Sequence, residues 1–186
     1  MYKINYDNIN NLDNLLNKIN ESKNYLNSYI KNLNLELIKK VDTNVLGDLF
    51  FLNSFLPDEI KPDNCYYHKF FSNRLNKKDI SLIYAYSDVP IGFVLNSKYN
   101  NLEKNNYKNK TYVIDALVIN ENYQRLGVGS ELVNLSTFIS KEFNCNELKV
   151  TCINDLTSFY KHLGFRQIPT SKKEDFVNFY EMKKKY

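Results

Sequence analysis

Arg125, Gly127 and Gly129 fall within five residues of one another, in the run Tyr123-Gln124-Arg125-Leu126-Gly127-Val128-Gly129-Ser130. The chain holds only five glycines, and three of its 25 basic residues are arginine (Arg74, Arg125, Arg166), so this cluster stands out from its background. Glycine lets a ligand come close to main-chain N–H groups. A helix that begins at such a turn aims several unpaired N–H groups and the positive end of its dipole at one point. That is an anion site, and phosphate is its usual guest. Arg125 adds fixed positive charge at the rim. Two common phosphate loops do not fit. Ser130-Glu131 follows where a Walker loop needs Lys and then Ser or Thr. Leu132 stands where the dinucleotide fingerprint needs a third glycine. A glycine turn that merely reverses the chain is the plain alternative.

Other reactive side chains offer less. Cys65, Cys145 and Cys152 form no C-x-x-C pair. They read as small buried hydrophobes in a reducing compartment. His68 and His162 have no Cys or carboxylate partner at ligand spacing, so no metal site is expected. Cys152 lies in an apolar run, where a thiol is usually inert. Lys183-Lys184-Lys185 reads as a solvated tail.

Composition bounds the rest. With 186 residues, 43% hydrophobic and 25% charged, the chain is an ordinary globular domain rather than a fibrous or disordered one. Lys and Asn dominate its polar residues, together with Ile, Tyr and Phe, all encoded by A/T-rich codons, and most are treated as background. A formal net charge of +4 falls short of a nucleic-acid footprint. No apolar run resembles a secretory leader or approaches the roughly 18 residues of a membrane span. A soluble, cytoplasmic chain with neither nucleic-acid nor membrane partners is expected.

The elements that position these residues follow from periodicity. Ile9, Leu12, Leu15, Leu16, Ile19, Leu26, Tyr29, Ile30 and Leu33 recur at helical spacing over residues 1–34. This stripe is either a cover for the core or a partner surface, a homodimer included. Leu35–Val41 reads as a strand. Thr43 is placed as the N-cap of a helix ending before Pro57. Tyr66–Leu75 reads as a further helix. Ile80–Tyr86 and Ile91–Leu95 form a hairpin, and 96–110 an exposed loop. Thr111–Ile119 is the strongest strand. Ser130–Phe143 reads as a helix, Glu147–Ile153 as a strand, and Leu156–Leu163 as a helix closed by Gly164. Phe165–Ile168 and Val177–Met182 complete the set. The order specifies an α/β (α+β) fold, a sheet covered by helices.

On those elements, Gln124-x-x-Gly127-x-Gly129 after the strand Ile114–Ile119 resembles the central motif of the GCN5-related N-acetyltransferases. That family reads Gln/Arg-x-x-Gly-x-Gly/Ala there. Further on, Phe159-Tyr160-Lys161-His162-Leu163-Gly164-Phe165 resembles its second signature, aromatic-Tyr-x-x-Leu-Gly-Phe. The two occur in the family's order and on matching elements, and the resemblance spans roughly 35–183. It implies a mixed, mostly antiparallel sheet flanked by helices over residues 35–186, with 1–34 as an N-terminal helical extension.

The resemblance also implies acetyl-coenzyme A as cosubstrate, no metal, and attack by a primary amine of a small molecule or protein on the acetyl thioester. The pyrophosphate falls to Gln124, Arg125, Leu126, Gly127, Val128, Gly129 and Ser130. Pantetheine falls to Leu117, Val118 and Ile119, in a gap where Thr111–Ile119 splays from the strand after Leu148. Leu117 N–H polarises the thioester carbonyl, an oxyanion-type contact. Tyr160 protonates the departing thiolate, for which an ordinary phenol near pKa 10 is suited. Its alternative role is packing with Phe159 and Phe165. The family's usual Glu is replaced by Val113. Asp115, two residues on and on the same face by strict alternation, is then either the base or a carboxylate that caps a loop or binds the amine. Asn154 either touches the cofactor or caps the next helix. Asp48, Asp58, Glu59 and Asp63 are candidates to attract a cationic amine, with solvated surface as the plainer reading. The missing acid at Val113 leaves open a rival: a non-catalytic acyl-coenzyme A-binding sensor or scaffold.

Overall fold

The computed structural model describes every residue except 5, 7, 8, 59, 60, 62, 64, 75–79, 100–110 and 170–178. Its elements are β1 (Tyr2–Lys3), α1 (Leu12–Leu26), β2 (Asn34–Leu37), β3 (Lys40–Val41), α2 (Thr43–Asn53), α3 (Cys65–Arg74), β4 (Ile80–Tyr86), β5 (Pro90–Tyr99), β6 (Thr111–Ile119), α4 (Val128–Glu142), β7 (Glu147–Ile153), α5 (Thr157–His162), β8 (Arg166–Gln167) and β9 (Phe179–Lys185). Seven strands form one sheet in the order β2-β4-β5-β6-β7-β9-β8. Every neighbouring pair is antiparallel except β6 and β7. That parallel pair is joined through α4, because a parallel return needs a crossover. The mixed, mostly antiparallel sheet expected from the sequence is the one observed.

The helices bury the stripes their periodicity announced. α1 buries Leu15, Ile19 and Leu26, and Asn11 accepts the Asn14 N–H as its N-cap. It packs on β2 and α4. Residues from Ile4 to Leu33 share one buried cluster with those of the sheet. α4 buries Leu132, Val133, Leu135 and Ile139, all four fully enclosed.

Several boundaries differ from the sequence reading, each for a local reason. Leu35–Val41 is two strands. The Ile38 N–H makes its bond to the Leu82 carbonyl, and the chain then leaves the main sheet so that Val41 pairs with Tyr2. The cap of α2 is Asp42, which accepts the Asn44 and Val45 N–H groups at 3.0 Å, and Thr43 is the first helical residue. A carboxylate at that position satisfies two orphan donors and the helix dipole together. Asn96 and Ser97 belong to β5 and are buried, so the exposed loop assigned to 96–110 does not begin there. Lys98 and Tyr99 also belong to β5, and residues 100–110, with residues 177–178 of the last strand, lie outside the described residues.

Gly92 is a glycine for steric reasons that no motif revealed. It pairs with Ile119 at the end of β6. A Cβ there would lie 2.6 Å from the Val118 carbonyl oxygen and 2.7 Å from Ile119 Cδ1. Gly92→Ala should therefore cost about 1–3 kcal/mol, each kcal/mol lowering Tm by roughly 2–4 °C in a chain of this size. A thermal melt with an unchanged midpoint would show that β6 yields to the added methyl.

Candidate active site

β6 and β7 pair only from Thr111–Ile114 to Glu147–Val150. Beyond Ile114 and Val150 the two strands diverge. The gap is a cleft of about 310 Å³ lined by Asp115, Ala116 and Leu117 from β6, Thr151, Cys152 and Ile153 from β7, and Tyr160 from α5. Parallel strands that part at their carboxyl ends leave unpaired backbone facing the cleft, the arrangement that accepts an added extended segment.

A bulge sits where the divergence begins. Asn96 pairs with Ile114 and Leu95 with Ala116, so Asp115 is the extra residue of β6. Val113 opposite Ser97 and Ala116 opposite Leu95 therefore share a face. The strict alternation that assigns Asp115 to the Val113 face is interrupted at the bulge, where the register with β5 passes over Asp115. Bulges re-aim a side chain, and this one turns β6 at the cleft. Beside it, Ser81 Oγ accepts from Asn96 Nδ2 at 3.1 Å and from Tyr112 OH at 2.9 Å, all three buried. Polar atoms enclosed in an otherwise apolar layer restrict the register to one that satisfies them.

The end of α5 positions Tyr160. Gly164, at φ +87°, donates to the Lys161 carbonyl at 3.0 Å, and Phe165 N–H donates to the Tyr160 carbonyl at 3.0 Å. This pair of bonds is the Schellman closure. The apolar contact that accompanies it is Phe165 against Tyr160, edge to face with centroids 5.4 Å apart, and Phe159 flanks Tyr160 at 5.0 Å. So the aromatic cluster and a lining place in the cleft are both real for Tyr160, which is 3% exposed. Burial raises its phenol above the ordinary value, and the neighbouring Cys152 thiol adds to the shift. Burial alone pushes Cys152 up to about 11, which keeps it a thiol rather than a nucleophilic thiolate.

The glycine turn lies between β6 and α4. Gly127 caps α4 at φ +89°, and Arg125 also adopts a left-handed conformation at φ +63°. For arginine that costs of order 1–3 kcal/mol, a strain that concentrates at ligand clamps. Gln124 Nε2 donates to the Ile119 carbonyl at 3.2 Å, tying the turn to the strand that precedes it. Val128 and Val118 bury their side chains, so only their backbones can meet a ligand. The N–H groups of Val128, Gly129 and Ser130 belong to the first turn, where helices have no carbonyl of their own to bond. Arg125 and Leu126 are exposed at the rim.

Asn154 differs from one of its two sequence readings. It opens a short 3-10 turn, and its backbone carbonyl, not its side chain, accepts Thr157 Oγ1 at 2.8 Å. The helix expected over Leu156–Leu163 is this turn followed by α5, which has no side-chain cap. Among the acidic candidates, Asp48 accepts the Tyr84 hydroxyl at 2.8 Å and Asp58 faces Lys61 at 3.5 Å, while Glu59 lies outside the described residues. Leu56 and Phe179 also line the cleft. Neither carried a motif, since a wall residue needs only to be apolar.

Among the described residues no three His, Cys, Asp or Glu side chains gather as metal ligands, and no helix is long and apolar enough to cross a membrane. No curated protein sequence matches the chain. Solved structures share its fold at low identity. An acetyltransferase from Streptococcus agalactiae superposes with a TM-score of 0.67 at 12% identity, covering 84% of this chain and 100% of that one. Arabidopsis thaliana Naa50, solved with the bisubstrate analogue CoA-Ac-MVNAL, gives 0.62 at 19%, covering 83% and 99%. Arabidopsis thaliana NAA60, solved with acetyl-CoA, gives 0.63 at 19%, covering 82% and 98%. The family model described as the acetyltransferase (GNAT) family matches residues 48–165, a span that contains the diverging strands, the glycine turn and Tyr160. The chain belongs to the GNAT acetyltransferase family.

Proposed function

We propose that the protein transfers an acetyl group from acetyl-coenzyme A to a primary amine, by direct attack with both substrates bound. The observation that carries this reading is the cleft between β6 and β7, where Asp115 and Tyr160 line a gap in the strand ladder, with the glycine turn of α4 following the end of β6 in the chain. The donor set fits the cosubstrate. Gly129 leaves room at the helix start: a Cβ there would lie 3.6 Å from both Ile119 Cγ1 and Phe159 Cζ, filling the space above the turn. Backbone N–H groups and Arg125 suit a pyrophosphate, and the free edge of β6 at Leu117, Val118 and Ile119 suits the amides of pantetheine.

When bound, acetyl-coenzyme A supplies an activated acetyl carbon. The chain's own groups do the rest. Asp115 takes the proton of the acceptor amine, directly or through a water, so that nitrogen can form its bond to the acetyl carbon. Leu117 N–H donates to the thioester oxygen as charge gathers there. Tyr160 gives its proton to the sulfur as the carbon–sulfur bond breaks. Gln124, Gly127, Val128 and Ser130 hold the turn and its N–H groups. Asn154, in the turn that follows β7, contacts the cosubstrate in this reading. The acceptor is a small-molecule or protein amine, entering on the side of α2 and α3.

In this reading residues 35–186 are the acetyltransferase domain and residues 1–34 a helical preface that completes its core. The enzyme works in the cytoplasm, where Cys65, Cys145 and Cys152 remain thiols. Incubation with acetyl-coenzyme A and a panel of small and peptidyl amines should release thiol on at least one of them. Tight coenzyme A binding without turnover on any amine would favour the sensor instead. Asp115→Asn separates two roles: loss of kcat by about 100-fold or more marks a base, while a raised amine KM at unchanged kcat marks a binding carboxylate.

A further inference from the structure

A second cleft, of about 340 Å³, is lined by Tyr29, Lys31, Asp88, Tyr123 and Leu126, the last of these from the glycine turn. Its rim is aromatic and exposed. Tyr25, in the last turn of α1, and Tyr29, three residues beyond its end, are 54% and 59% exposed, and their rings meet edge to face at 5.5 Å. Leu126, within the glycine turn itself, is 38% exposed. Large aromatic faces left open to water cost free energy unless something flat covers them.

This patch is continuous with the anion site. Leu26 lies against the turn, with its Cδ2 3.7 Å from where a Gly127 Cβ would be. A hydrogen bond between the two phenols is the chief influence raising Tyr25 and ties the two rings together. Tyr123 and Leu126, from the run that holds the two glycines, line the same cleft as Tyr29, so a nucleotide held by its pyrophosphate at that turn lies next to this cleft.

We propose that residues 25–31, outside the stretch matched by the family model, form with Asp88 and Leu126 the subsite for the 3′-phosphoadenosine end of acetyl-coenzyme A. Tyr29 and Leu126 sandwich the adenine, Asp88 accepts from its exocyclic amino group, and Lys31 pairs with the 3′-phosphate. The proposal rests on the acetyltransferase reading above and assigns the N-terminal preface a part in cosubstrate selection. Base–aromatic stacking typically contributes about 1–3 kcal/mol, so loss of one ring should be readable in affinity.

Calorimetric titration with coenzyme A, dephospho-coenzyme A and 4′-phosphopantetheine tests it. Tyr29→Ala should weaken coenzyme A roughly tenfold and leave 4′-phosphopantetheine unchanged. Lys31→Ala should weaken coenzyme A and leave dephospho-coenzyme A unchanged. Tyr29 is exposed, so the variant's melting temperature should match the parent's, which separates binding from folding. Equal weakening of coenzyme A and 4′-phosphopantetheine, or no weakening in either variant, overturns the subsite while leaving the acetyltransferase reading intact. A parent chain that binds none of the three probes overturns both.

Discussion

Tyr160→Phe should lower kcat by about 10²–10⁴-fold while coenzyme A still binds with its parental affinity. The substitution removes one oxygen and no ring, so the contacts with Phe159 and Phe165 and the closure of α5 at Gly164 survive. Folding and cosubstrate binding should therefore hold, and only the proton supply to the departing sulfur is lost. Burial, with a contribution from Cys152, raises the Tyr160 phenol. An acid works below its pKa and fails above it, so a raised pKa moves the failure to higher pH. The parental kcat should accordingly show no falling limb up to about pH 10, where an ordinary phenol would have begun to ionise. Single-turnover rates across pH, on whichever amine the panel identifies, measure both effects. A full-rate Tyr160→Phe enzyme would reduce Tyr160 to its packing role.

Gly129→Glu should separate stability from binding, with opposite signs. A carboxylate in the first turn of α4 favours the helix dipole, by about 0.3–1 kcal/mol at an exposed site. A Cβ at this position meets only ordinary contacts, at 3.6 Å or more. The melting temperature should therefore hold or rise slightly. Coenzyme A affinity should fall by about two orders of magnitude or more, since a like charge set against the pyrophosphate costs several kcal/mol. Gly129→Ala serves as the control: it adds volume without charge and should bind with an intermediate loss. Undiminished binding in the Glu variant would place the pyrophosphate elsewhere.

The sequence made the backbone-driven parts of this site legible. Gly127, Gly129 and Gly164 were found because glycine is scarce here and two of these three occupy left-handed conformations that other residues resist. The strand Thr111–Ile119 and the helix after it follow from strong periodicity, and their observed bounds are close to the expected ones. The bulge at Asp115 was not legible. It is set by pairing with β5, a contact made across the chain, and nothing in the local run Val113-Ile114-Asp115-Ala116 encodes it. Asn96 was misplaced for a related reason: in an Asn/Lys-rich stretch its type suggests a loop, and only its enclosure beside Ser81 and Tyr112 makes it a strand residue. Gly92 carries no motif at all, because the group that excludes a side chain there belongs to β6.

The gap between β6 and β7 has a thermodynamic side as well. Rungs of the ladder that close in most sheets stay open in this one, and whatever occupies the gap closes them. A ligand that binds only the folded chain adds RT ln(1 + [L]/Kd) to its stability, about 2.7 kcal/mol when present at a hundred times Kd. Under the proposed function that ligand is acetyl-coenzyme A, so the melting temperature should rise as the cosubstrate is titrated in, and a flat melt across the titration would leave the gap without this occupant.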